Sequence, residues 1–229
     1  MKKLVCLLLL LTLSGRIFAQ TEEKRTFSEV KKMNIAGGFD ITFTESENVF
    51  VQFKSETEIT SDKILTTVKG DELFVSVNDK VKPNKLGKIS LIIGYKKLKS
   101  LEVKDFISLN VKNKLDLDEL ELKFGGETQS TLDLKVNTLT VEMKDKASLK
   151  VTGECKNFEV TGKDDSFLTA PDFICENIEI SVKGKGSFIV NPVKSLEASL
   201  NGTGEIVYKG QPKKLEIDAK GGGVIKPLQ

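Results

Sequence analysis

Between Leu98 and Ile225 a unit of about 19 residues recurs seven times, and that beat restricts the possible folds more than anything else in the chain. Apolar anchors fall on Leu101, Leu120, Leu139, Phe158, Ile178, Leu196 and Leu215, at spacings of 19, 19, 19, 20, 18 and 19. Three residues before each anchor stands Leu98, Leu117, Val136, Cys155, Cys175, Val193 or Pro212, and two residues after it Val103, Leu122, Val141, Val160, Ile180, Ala198 or Ile217. Polar or glycine-rich bends follow, such as Lys144-Asp145-Lys146 and Asn201-Gly202-Thr203-Gly204, and then a second alternating pair such as Leu149/Val151 or Phe188/Val190. Each unit thus reads as short period-2 strands separated by turns. One such unit cannot bury its apolar face alone, so the pattern implies a stacked array.

The residue types choose among arrays. A leucine-rich repeat needs an asparagine ladder and a helical return leg, whereas β-branched residues and Gly/Asp/Lys bends leave no room for a helix here. The expectation is an all-β parallel β-helix in which equivalent columns stack up the interior, seven coils giving a rod roughly 30 Å long at ~4.8 Å per strand.

Met1-Lys2-Lys3, the apolar run Leu4–Leu13 and the break before Ile17-Phe18-Ala19 read as a signal peptide over residues 1–19, too short to serve as a transmembrane anchor. Export is therefore expected, to the periplasm, the outer surface or the medium. Removing Lys2, Lys3 and Arg16 from 35 basic residues leaves 32 against 33 acidic ones, a net charge of about −1. That balance gives no clustered basic face for nucleic acid. Residues 20–95 lack the 19-residue beat but read as strands, with a hairpin at Lys69-Gly70-Asp71-Glu72 and a loop at Asn78–Lys88. They are expected to form opening coils and a partly antiparallel cap, which a solenoid end needs to avoid a bare edge, with residues 96–229 forming the repeat region.

Two stretches carry a family resemblance. Gly38-Phe39-Asp40-Ile41-Thr42-Phe43, and Asn201-Gly202-Thr203-Gly204-Glu205-Ile206-Val207-Tyr208-Lys209-Gly210-Gln211-Pro212, resemble the "putative auto-transporter adhesin, head GIN domain" family and its G-S-G-D-I-x-Y-x-G-x-P signature. Thr203 and Glu205 replace the usual Ser and Asp, and in the middle coils Lys144-Asp145-Lys146 and Asp164-Asp165 replace the glycine-rich bends. The resemblance implies a right-handed β-helix exported by Gram-negative bacteria, and brings no catalytic residues with it. It marks Gly38, Phe39, Gly202, Gly204, Ile206, Tyr208, Gly210 and Pro212 as structural motif positions.

Chemistry is limited by what is missing. Without histidine or tryptophan the chain lacks Ser-His-Asp and Cys-His sites, histidine metal centres and indole sugar platforms. No catalytic residue, cofactor or metal site is assigned. The glycine bends lie between strands rather than opening a helix, so they read as corners at positive φ and not as phosphate loops. Asp145, Asp164 and Asp165 are the surviving surface-site candidate, because the first two stand six residues after their anchors and should stack; a β-helix lyase or hydrolase places Ca²⁺ ligands or an acid/base pair on such a face. Interleaved Lys144, Lys146 and Lys163 would satisfy the same acids. Cys155 and Cys175 share a column of consecutive coils. Distance permits a disulfide, parallel Cβ directions argue against one, and both an oxidised pair and a buried thiol pair stay open.

The functional expectation is a non-catalytic exported module whose face meets glycan, cell envelope or a protein partner, or self-associates. The alternative is a carbohydrate-active β-helix enzyme. Only two tyrosines accompany the phenylalanines, most of which fall in inward columns, and this shortage of exposed aromatic platforms favours the first reading.

Overall fold

Strict alternation of apolar and polar residues over long stretches produces strands that are buried on one side only, and the computed structural model, which describes residues 21–55, 61–78 and 89–228, is built almost wholly of them. The proposed signal peptide, the cleavage point after Ala19 and most of the Asn78–Lys88 loop lie outside the described residues. Fifteen strands form one continuous hydrogen-bonded system: β1 (Thr21–Phe27), β2 (Lys32–Glu45), β3 (Val49–Ser55), β4 (Ile64–Lys69), β5 (Glu72–Val77), β6 (Ile89–Tyr95), β7 (Ser100–Val111), β8 (Leu115–Phe124), β9 (Gln129–Met143), β10 (Ser148–Asp164), β11 (Phe167–Gly184), β12 (Ser187–Gly202), β13 (Glu205–Tyr208), β14 (Lys214–Lys220) and β15 (Val224–Pro227). From β7 onward every pairing is parallel, with coils about 19 residues apart stacked into a β-solenoid.

Inward columns form the core. Leu139, Phe158, Ile178 and Leu196 stack in register and are at most 2% exposed. Val141, Val160, Ile180 and Ala198 form the next column, and beyond the corner Leu149, Leu168, Phe188 and Ile206 form another, also buried.

The structure corrects the register in two places. Leu101 lies beside Leu122 and not Leu120, because a bend at Lys112–Lys114 lengthens the first coil to 21 residues. In the third face Cys175 pairs with Pro192, which is buried, while Val193 is 48% exposed. The cause is one extra residue in β12, whose register against β11 slips from Cys175↔Pro192 to Asn177↔Ser195. The register of β11 against β10 also slips, from Lys150↔Thr169 to Gly153↔Phe173, so β11 carries one extra residue there, which accounts for the 20-residue spacing. That slip turns Phe173 inward, edge-on to Phe158 at 5.3 Å between ring centroids, and turns Ile174 out to 53% exposure.

At the opposite end the stack is closed. β2 lies parallel on β7 along its length, and its other side carries β5 and β6. Antiparallel β4 then covers β5, and antiparallel β3 and β1 cover β6. Inward residues of these strands, including Leu73, Val75, Leu91, Ile93, Val51 and Phe53, are at most 1% exposed.

Candidate binding face

The first segment of each coil alternates anchor residues inward with polar residues outward, and parallel stacking turns each outward position into a ladder. One position before the anchors come Asn157, Asn177 and Ser195, joined by Asn177 Nδ2 donating to Asn157 Oδ1 (3.0 Å) and Ser195 Oγ donating to Asn177 Oδ1 (2.9 Å). One position after the anchors come Glu159, Glu179, Glu197 and Glu216, all exposed. Three positions after come Thr161, Ser181 and Ser199, the last donating from Oγ to Ser181 Oγ at 3.2 Å. Like charges opposite one another in adjacent strands are unfavourable, by a few tenths of a kcal/mol up to about 1 kcal/mol. Even so, Glu159, Glu179 and Glu197 have no ion pair among the described residues, whereas higher on the same face Lys123 reaches both Glu121 (2.8 Å) and Glu142 (3.8 Å). The result is a flat strip of amide, carboxylate and hydroxyl groups held at fixed spacing by the backbone register. Sequence reasoning missed these glutamates, although their constant offset from Phe158, Ile178, Leu196 and Leu215 was the available signal.

The structure brings Asp145 and Asp164 together in one corner column. In that column each coil turns at positive φ: Gly37 (140°), Asp105 (72°), Gly126 (71°), Asp145 (59°), Asp164 (57°), Gly184 (130°), Gly202 (149°) and Gly221 (83°). Glycine and aspartate are among the few residues that enter the left-handed region readily. Here the aspartates also give their carboxylates to the backbone of the preceding coil: Gly126 N–H donates to Asp145 Oδ2 (2.9 Å) and Asp145 N–H to Asp164 Oδ2 (3.3 Å). Aspartate therefore replaces glycine in the middle coils as a corner residue that also binds its neighbour. Asp165 does not join them. It falls one position on, in line with Lys146 and Lys185. Among the described residues no group of three or more cysteine, aspartate or glutamate side chains is arranged to hold a metal ion.

Cys155 and Cys175 face each other across β10 and β11 with Cα atoms 4.6 Å apart and sulfurs within bonding distance, so the two side chains turn toward one another despite starting from parallel backbone directions. Cys155 is 7% exposed and Cys175 wholly buried. Of the motif residues, Phe39 and Ile206 lie in inward columns, Tyr208 is half-buried against the core, and Gly210 has positive φ (92°). Gly202 and Gly204 sit where any Cβ would collide with the carbonyl oxygens of Gly184 and Gly186 in the coil above. Gly38 extends the corner in β2 and pairs with Phe106, and Pro212 is half-buried just ahead of β14.

Several solved structures share this architecture. A protein from Bacteroides fragilis NCTC 9343 described as a putative adhesin superposes with a TM-score of 0.84 at 23% identity, covering 91% of this chain and 97% of that one. A putative adhesin from Parabacteroides merdae ATCC 43184 gives 0.72 at 18% identity, over 92% and 96% of the two chains. A protein from Parabacteroides distasonis ATCC 8503 described as a putative lipid binding protein gives 0.68 at 18% identity, over 91% and 97%. No curated protein matches the sequence. A family model described as "Putative auto-transporter adhesin, head GIN domain" matches residues 26–212, and the chain belongs to that family.

Proposed function

We propose that this chain is an exported, non-catalytic binding or structural module that presents one side of its solenoid to glycan, envelope or protein partners. The observation that carries the reading is the strip of Asn157/Asn177/Ser195, Glu159/Glu179/Glu197/Glu216 and Thr161/Ser181/Ser199. Its donors and acceptors repeat at the ~4.8 Å strand spacing, which suits an extended polar polymer better than a compact substrate. The adhesin descriptions of the family and of the B. fragilis and P. merdae structures support the same class. No helix among the described residues is long and apolar enough to cross a membrane.

A glycan array run beside a polysaccharide depolymerisation screen tests the proposal. Retained binding without cleavage, weakened by Glu179→Lys with the melting temperature no lower, is the expected result. Turnover of a polysaccharide without retained binding would overturn it in favour of a carbohydrate-active enzyme.

A further inference from the structure

The two ends of the solenoid are built differently. At one end β1, β3 and β4 close the stack, and at the other no strand among the described residues does: there β14 pairs only with β12, and β15 only with β13. Leu215 and Ile217 continue the columns of Leu196 and Ala198, which are 1% and 2% exposed, yet they are 43% and 45% exposed themselves. Ile225, which continues the column of Phe188 and Ile206, is only half-buried. This end therefore shows apolar core and a row of unpaired backbone N–H and C=O groups together, the combination that templates strand addition.

We propose that the open end is an interface for a second copy of this chain, joined tail to tail through antiparallel pairing of β14 with its counterpart. The capped end is a poorer partner, since its edge strands β1 and β4 run antiparallel to their neighbours, β1 carries Glu22, Glu23, Lys24 and Arg25, and Arg25 donates across to the carbonyl of Ile64. Head-to-tail stacking into a fibre is thus disfavoured, and two open ends meeting about a two-fold axis give a closed dimer. The outward residues of β14 read Lys214, Glu216, Asp218 and Lys220, and their charges choose the register. Centring the pair on Ile217 would set Lys214 against Lys220 and Glu216 against Asp218, all like pairs. Centring it on Glu216 sets each Lys214 against Asp218 of the other copy and each Leu215 against Ile217, so opposite charges meet outside and apolar side chains meet inside. The remaining Glu216 contact on the axis is exposed, and Lys214 lies 2.8 Å from Glu216 within each chain. This interface shares only Glu216 with the binding strip, whose other residues lie along the side of the rod, so the two are tested by different substitutions.

Sedimentation of the protein purified from an exporting host, followed across a wide concentration range, tests the proposal. The expected result is a concentration-dependent dimer that Ile217→Asp abolishes, and that Glu216→Cys converts on oxidation into a covalent dimer. Lys214→Asp should weaken association by about tenfold or more, the reach of a close charge pair turned repulsive, and adding Asp218→Lys should restore it. These positions are exposed in the monomer, so far-ultraviolet circular dichroism, and melting temperature read at dilutions where every variant is monomeric, should change little, and loss of folding is separable from loss of pairing. A protein that stays monomeric, a dimer indifferent to Ile217→Asp, or a monomer that floats with lipid vesicles through this end would each overturn it. None of those outcomes touches the glycan reading.

Discussion

At the residue scale the corner column explains why aspartate stands where related bends carry glycine. A residue at φ near 60° must tolerate the left-handed region, and Asp145 and Asp164 do so while their carboxylates accept backbone N–H groups from the preceding coil. Alanine tolerates neither demand. Asp164→Ala should therefore lower stability by about 1–2 kcal/mol, the cost of forcing an ordinary residue into that conformation, whereas Asp164→Gly should recover much of it, since only the carboxylate bond is then lost. Urea unfolding of the two variants decides between this corner role and an ion-binding one, which would make glycine as harmful as alanine. The same argument ranks the family-motif glycines: Gly202→Ala and Gly204→Ala meet backbone oxygens that cannot move aside, and both should be worse than Asp164→Ala.

At the scale of the element, equivalent residues of one column differ in worth according to how many coils flank them. Leu196 is enclosed between β11 and β14, whereas Leu215 has a neighbour on one side only. Leu196→Ala should cost about 2–5 kcal/mol, as for buried leucine elsewhere, and Leu215→Ala well under half of that. Equal losses in thermal unfolding would show that the last coil is covered in the monomer. The cysteine column holds a second element-scale prediction. With Cα atoms 4.6 Å apart in adjacent parallel strands, Cys155 and Cys175 fall within the ~4.4–6.8 Å range of disulfides, and an exported chain meets oxidising conditions. Thiol labelling of denatured, unreduced protein should find neither cysteine reactive, and both after reductant. Two reactive thiols before reductant would instead leave a reduced pair packed as small hydrophobes.

Over the whole molecule, the repeat made the solenoid legible in advance because stacking forces the same residue class onto the same column in every coil. What escaped was register wherever a coil departs from 19 residues: the bend at Lys112–Lys114 and the extra residue in β12 leave the apolar period nearly intact while moving Leu101 to Leu122 and Cys175 to Pro192. The binding strip escaped for another reason, since an exposed glutamate reads as solvated surface until stacking shows which glutamates share a ladder. Stacking also governs how the molecule comes apart. In a quasi-one-dimensional array each coil is stabilised by its neighbours, so the uncapped last coil should open first. β15 is held to β13 partly by Glu205, whose carboxyl Lys226 keeps below its ordinary pKa by a hydrogen bond, with Ser187 assisting. A carboxyl depressed in the folded state adds stability that is present above its unfolded pKa and lost as pH falls through the folded one, so acidification below the ordinary carboxylate range should loosen this coil ahead of the rest. Both side chains are more than 40% exposed, so the effect should be small and screened by salt. Hydrogen exchange, corrected for the intrinsic rate at each pH, should show β14 and β15 losing protection on acidification while β9–β11 keep theirs, and Lys226→Met should remove most of that pH dependence from β15. Uniform loss along the rod would mean that the coils unfold as one unit and that the open end has no separate stability.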